Sequence, residues 1–120
     1  MDISLDECKS FCGYLEKKSP KLMVGYQKRY FKILEGKTMI YLGKENDTQP
    51  KGVVQLDQIG RPVSVDDKVF KFTLEGRDFI LRAKNSTTKD QWIHVLNMLL
   101  DDIEKKKRRS TPEKHSTINN

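Results

Sequence analysis

The sequence predicts a mainly β domain, with about seven short antiparallel strands forming a barrel or sandwich and one C-terminal amphipathic helix as its cap. Three observations carry this reading. Short alternating runs rich in aromatic and β-branched residues extend from Phe11 to Ala83. Gly, Pro, Asp and Asn punctuate those runs at hairpin spacing. Helical periodicity appears once, after Ser86, and no helix signal separates the strands, which argues against an α/β fold.

The elements follow in order. Residues 1–10 are polar and are expected to form a flexible lead-in. Phe11–Lys17 alternates and opens the domain, and Tyr26–Leu34 is aromatic enough for a second strand. Glu35-Gly36-Lys37 turns the chain into Thr38–Gly43, completing a hairpin. The polar stretch Lys44–Pro50 is a loop, and Gly52–Asp57 is a fourth strand. Gly60-Arg61-Pro62 breaks the chain, so Val63-Ser64-Val65 is read as a short edge strand. Val69–Leu74 and Asp78–Ala83, joined at Glu75-Gly76, form the last hairpin.

One of Ser86, Thr87 or Thr88 is expected to cap the helix. Trp92, Leu96, Leu99 and Ile103 recur at helical spacing, and Ile93, Val95 and Leu100 widen the stripe. About 15 residues of helix are expected, with Trp92 plugging the sheet. Like charges in Lys105–Arg109 oppose helix, and Pro112 with its polar neighbours suggests a disordered tail. The division is therefore a lead-in over 1–10, a domain over 11–104 and a basic tail over 105–120.

At 120 residues the chain suits one domain, with 36% hydrophobic and 33% charged residues. Its net charge of +6 points to an anionic partner. The charge is polarised: residues 13–32 hold six basic side chains against Glu16 alone, a net of +5. No apolar run approaches the roughly 18 residues of a membrane span, and Met1–Glu7 lacks a signal core, so a cytoplasmic protein is expected. Cys8 and Cys12 are too few for a disulfide scaffold. With only His94 and His115 to join them, neither a metal site nor a cofactor is expected. Asp66-Asp67 and Asp101-Asp102 read as turn and helix-end pairs, not an acid/base dyad. A phosphate loop and a nucleophile elbow are both missing, so an enzyme is not expected.

Several segments in this order resemble the pleckstrin homology (PH) domain family. Gly13-Tyr14-Leu15-Glu16-Lys17 is similar to its opening strand, and Tyr26–Leu34 to its second. Ile40-Tyr41, Lys51–Leu56, Phe79–Ala83 and Asp90-Gln91-Trp92-Ile93 resemble later elements, including the helix signature. The resemblance covers residues 11–103. It implies a module that holds inositol phosphates between the first two strands and their loop, with Lys17 and Arg29 as principal phosphate ligands and the Tyr41 hydroxyl assisting. The residue types suit phosphate binding, since arginine offers a planar fork of donors and lysine a compact charge. Gln27 departs from the pattern, since strong binders carry a cation there. It shares a face with Arg29, whereas Lys28 points the other way. Lys18, Lys21 and Lys44 are candidates to compensate. Tight binding of a triply phosphorylated 3-phosphoinositide thus stands beside looser binding of several anionic lipids. The plain reading of these lysines is a solvated strand face.

Leu22-Met23-Val24 forms an apolar tip between basic residues and is a candidate for membrane insertion; the bland reading folds it onto the rim. The run Lys105–Arg109 reads as a membrane-surface segment, a nuclear localisation signal or a solvated helix end. Arg108-Arg109-Ser110-Thr111-Pro112 resembles a kinase site. The expected function is a monomeric phosphoinositide or anionic-lipid module recruited to the cytoplasmic face of membranes. The alternative is an adaptor that binds protein on the same scaffold. Nucleic acid ranks third, because aromatics are not interleaved with the lysines.

Overall fold

In a computed structural model, residues 3–118 are described, with side chains as far as Arg109. Seven antiparallel strands form one sheet: β1 (Cys12–Lys18), β2 (Tyr26–Leu34), β3 (Thr38–Leu42), β4 (Gly52–Gln55), β5 (Val63–Ser64), β6 (Val69–Leu74) and β7 (Arg77–Arg82). Their order is β4-β3-β2-β1-β7-β6-β5, so β4 and β5 are edges and hydrogen bonds do not close the barrel. The seven strands and the helix after them are those the sequence predicts. The fourth is shorter than expected, because Leu56–Gln58 winds into a 3-10 turn that buries Leu56.

Alternation decides which side chains form the core. Gly13, Leu15 and Lys17 share one face of β1, Phe31 and Ile33 share one face of β2, and Met39 and Tyr41 share one face of β3. Leu15, Phe31, Ile33 and Met39 are buried together with Phe70, Phe72 and Leu81 from the β6–β7 hairpin. The helix α2 (Ser86–Ile118) lays Trp92, Val95, Leu96 and Leu99 into this core. Trp92 meets Phe11 edge-to-face at 4.9 Å between ring centroids. A Cβ on Gly13 would lie 3.8 Å from the Trp92 ring, so the indole packs against bare strand backbone. Trp92 is only 1% exposed, and its loss should cost about 3–5 kcal/mol.

Three features differ from the sequence expectation. The polar lead-in contains a short helix, α1 (Leu5–Cys8), fixed by a reciprocal capping box between Ser4 and Glu7 and anchored by buried Cys8. Asn85, not one of the three hydroxyl residues after it, caps α2: its Oδ1 accepts from the Thr88 amide at 2.8 Å. Finally, α2 runs through Lys105–Arg109 to Ile118 instead of ending near Lys105. Interspersed acids offset the crowded cations. Asp102 pairs with Lys106 one turn on at 3.1 Å, and Asp101 and Glu104 both hold Arg61. The side chains of Ser110 and Thr111, and with them the suggested kinase site, lie outside the described residues.

The helix packs against α1, the 3-10 turn and Gly36 of the β2–β3 turn. It therefore covers the end of the sheet opposite the β1–β2 loop and leaves that loop end open.

Candidate functional site

At the open end the core-facing rows continue past the apolar core and become polar. On β1 the row Gly13-Leu15 continues to Lys17, on β2 the row Ile33-Phe31 continues to Arg29 and Gln27, and on β3 Met39 leads to Tyr41. Register brings them together, with Lys17 opposite Gln27 and Phe31 opposite Tyr41. A cavity of about 550 Å3 opens here, lined on this side by Lys17 and Lys18 from β1 and Tyr41 from β3.

Lys17 sits over two aromatic faces, its Nζ 4.8 Å from the Phe79 centroid and 5.6 Å from that of Tyr41. Burial, and then the charge of Arg29, hold its pKa below the usual lysine value. Burial pushes the Tyr41 hydroxyl up, with Arg29 opposing, so Tyr41 keeps its proton at neutral pH and can donate it in a hydrogen bond. Tyr41 stacks on Phe31 at 5.2 Å and faces Gly52 across the β3–β4 ladder. A Cβ on Gly52 would overlap the Tyr41 ring, so only glycine leaves the ring its place.

Arg29 lies beside the cavity and does not line it. Its Nη1 donates to the Lys28 carbonyl at 2.8 Å, and its Nη2 to Gln27 Oε1 at 3.1 Å. Gln27 thus acts on the neighbouring cation and not as a cation itself. Lys21 and Lys44 do not line the cavity. The Lys21 amide donates to Ser19 Oγ at 3.1 Å in the β1–β2 loop, and the Lys44 amide to Asp47 at 3.0 Å. The amide of the next residue, Glu45, donates to Tyr14 on the opposite face of the sheet.

The β1–β2 loop is pinched at its neck, where the Ser19 amide donates to the Gly25 carbonyl at 2.8 Å. Beyond that neck Leu22 is 91% and Met23 97% exposed. Val24 is also exposed, and Met23 adopts a left-handed φ of 72°, a conformation unfavourable for its side chain. The tip does not fold back onto the rim.

Sequence reasoning missed the far wall of the cavity, which comes from the β6–β7 turn and the start of β7: Glu75, Arg77, Asp78 and Phe79. Glu75-Gly76 read only as a turn, and Asp78 and Phe79 only as the start of the last strand. The missing signal was topological, since β7 returns antiparallel beside β1 and brings its first residues to the end where β1 finishes.

On the outer face Lys28 and Arg82 already have partners. Lys28 Nζ sits 4.8 Å over Tyr14, and the Arg82 guanidinium 4.0 Å over Tyr26. Arg82 Nε also donates to Glu16 at 2.8 Å, which keeps its pKa raised.

Together these features give an antiparallel sheet capped at one end and open at the other over an aromatic-floored cavity lined by three cations and two carboxylates. The family model for the PH domain matches residues 9–101, and the chain belongs to that family, a non-catalytic module. Over 90 residues it is 30% identical to the human Arf-GAP with Rho-GAP domain, ANK repeat and PH domain-containing protein 3, covering 75% of this chain and 6% of the relative. The chain thus spans a small fraction of the curated relatives it matches. Among solved structures, the N-terminal PH domain of human ARAP2 superposes with a TM-score of 0.66 at 28% identity, covering 78% of this chain and 81% of that one. The Slm1 PH domain with inositol-4-phosphate gives a TM-score of 0.65 at 17% identity, over 74% of this chain and 94% of that one. The C-terminal PH domain of pleckstrin with D-myo-Ins(1,2,3,4,5)P5 gives 0.64 at 19%, over 74% and 95%. At those two identities the likeness is one of fold. Among the described residues no helix is long and apolar enough to cross a membrane.

Proposed function

We propose that this domain binds phosphoinositide headgroups at the open end of the sheet and recruits its protein peripherally to the cytoplasmic face of membranes. The observation that carries the reading is Lys17, a partly buried cation without an acidic partner among the described residues, poised at the wall of a cavity beside Arg29 and the Tyr41 hydroxyl. A desolvated cation with no counter-ion favours an anion that supplies one. The inositol phosphate held by the pleckstrin domain supports that chemistry for this fold, and the Slm1 domain holds its ligand in the non-canonical site. Lys18 lines the same cavity. Lys21 and Lys44 contribute as surface charges, each worth on the order of 1 kcal/mol near an anionic membrane. Leu22, Met23 and Val24 would enter the interfacial layer while the lysines meet headgroups. The helical run Lys105–Arg109 lies at the other end, so it is not a direct extension of this surface.

The test is vesicle co-sedimentation across lipid headgroups and salt concentrations. Headgroup-dependent binding that is lost in both Lys17→Ala and Arg29→Ala supports the reading. Binding that follows only total vesicle charge, or survives both substitutions, argues against it. The second reading, a protein-interaction module, draws on the two unpaired sheet edges, where Val53, Val63 and Val65 are exposed. No lipid binding at all would favour it.

A further inference from the structure

The cavity that holds Lys17 and Lys18 has an acidic wall. Of its lining residues, Lys17, Lys18 and Arg77 are cationic, and Glu75 and Asp78 are anionic, so the lining carries only one net positive charge. Glu75 belongs to the β6–β7 turn, and Asp78 to the start of β7, paired with Thr73. That turn is a tight hairpin in which Glu75 and Gly76 both adopt left-handed φ, 54° and 77°. Leu74 pairs with Arg77 on either side of it, which fixes the turn over the cavity. Asp78 is partly neutralised by Lys71 at 3.1 Å. The Glu75 carboxylate has no ion pair among the described residues.

We propose that Glu75, seconded by Asp78, is a specificity-determining residue that makes the site favour a singly or doubly phosphorylated inositol headgroup over a triply phosphorylated one. The inference rests on the phosphoinositide reading above and deepens it. Each phosphate monoester carries about −1.5 to −2 charge at neutral pH, so repulsion from a fixed carboxylate grows with every phosphate. The attractive side does not grow to match, because Gln27 is neutral and engages Arg29. A headgroup with few phosphates can sit against Lys17 and Arg29 and leave the acidic wall alone. A crowded one must place phosphate beside Glu75.

The test compares the whole chain with its Glu75→Gln variant, which removes the charge and keeps a residue of similar size on the turn. Phosphatidylcholine vesicles carry either phosphatidylinositol 4-phosphate or phosphatidylinositol 3,4,5-trisphosphate, and Arg29→Ala is the control. Glu75→Gln should strengthen binding to the trisphosphate vesicles by about 3–10-fold and change binding to the monophosphate vesicles by less than about twofold, with circular dichroism unchanged. Equal change on both vesicles, or none, overturns the specificity role, while Arg29-dependent binding by wild type leaves the lipid reading standing. If wild type binds neither vesicle above phosphatidylcholine alone, the lipid reading fails, and the specificity role with it.

Discussion

Gln27 Oε1 accepts a hydrogen bond from Arg29 Nη2 at 3.1 Å, between two residues of one strand that face the same way. The neutral residue at the position where strong binders carry a cation therefore orients the cation two places on. Gln27→Ala should free Arg29 and weaken headgroup binding by about threefold, the scale of one modest hydrogen bond. Arg29→Ala should weaken it by more than about tenfold, because a charge is lost. Titration calorimetry with a soluble inositol phosphate measures both, and equal losses would contradict an orienting role for Gln27.

Lys17 sets the proposed headgroup binding against stability. Its folded pKa lies below 10.5, first through burial and then through Arg29, so carrying the charge costs the folded state at neutral pH. That cost is relieved as pH rises through the lowered folded value towards the unfolded one. The stacking on Phe79 and Tyr41 offsets part of it. Lys17→Met keeps the stem, so the thermal midpoint should not fall, while headgroup binding should be abolished. In the wild type, binding should decline on the alkaline side at a pH below 10.5. Differential scanning fluorimetry together with a binding titration checks the pair.

Gly52 is bound to the placement of Tyr41, since a Cβ there would collide with the ring. Gly52→Ala should displace the ring, weaken binding and cost about 1–3 kcal/mol of stability by overpacking. Tyr41→Phe removes only the hydroxyl, so it should weaken binding at unchanged stability. Denaturant melts of the two variants distinguish these effects.

The exposed tip predicts a split between membrane and headgroup. Leu22→Ala with Met23→Ala should weaken vesicle binding and leave soluble headgroup binding intact. Equal loss of both would contradict insertion.

Much of this was legible in the sequence, because alternation and turn residues are local signals. The shared face of Gln27 and Arg29 and the outward direction of Lys28 followed from period-two alternation, whereas Lys17 and Tyr41 came from the family resemblance. Long-range features were not legible. Lys89 is 7% exposed and donates to Ser64 Oγ at 2.8 Å and the Asp66 carbonyl at 3.0 Å. It thereby ties the helix start to the β5–β6 turn, 25 residues away in sequence. Glu75 and Asp78 likewise become cavity residues only once β7 is known to lie beside β1. The extended helix was missed because a local tally of like charges did not count Asp102 as the partner of Lys106 one turn before it.

The most direct test of the headgroup site is an amide chemical-shift titration of the uniformly labelled chain with a soluble inositol phosphate. The largest shifts should fall on Lys17, Lys18, Gln27, Arg29 and Tyr41 and on the β6–β7 turn. Shifts centred instead on the outer face around Tyr14, Lys28 and Arg82, or none at saturating ligand, would contradict it.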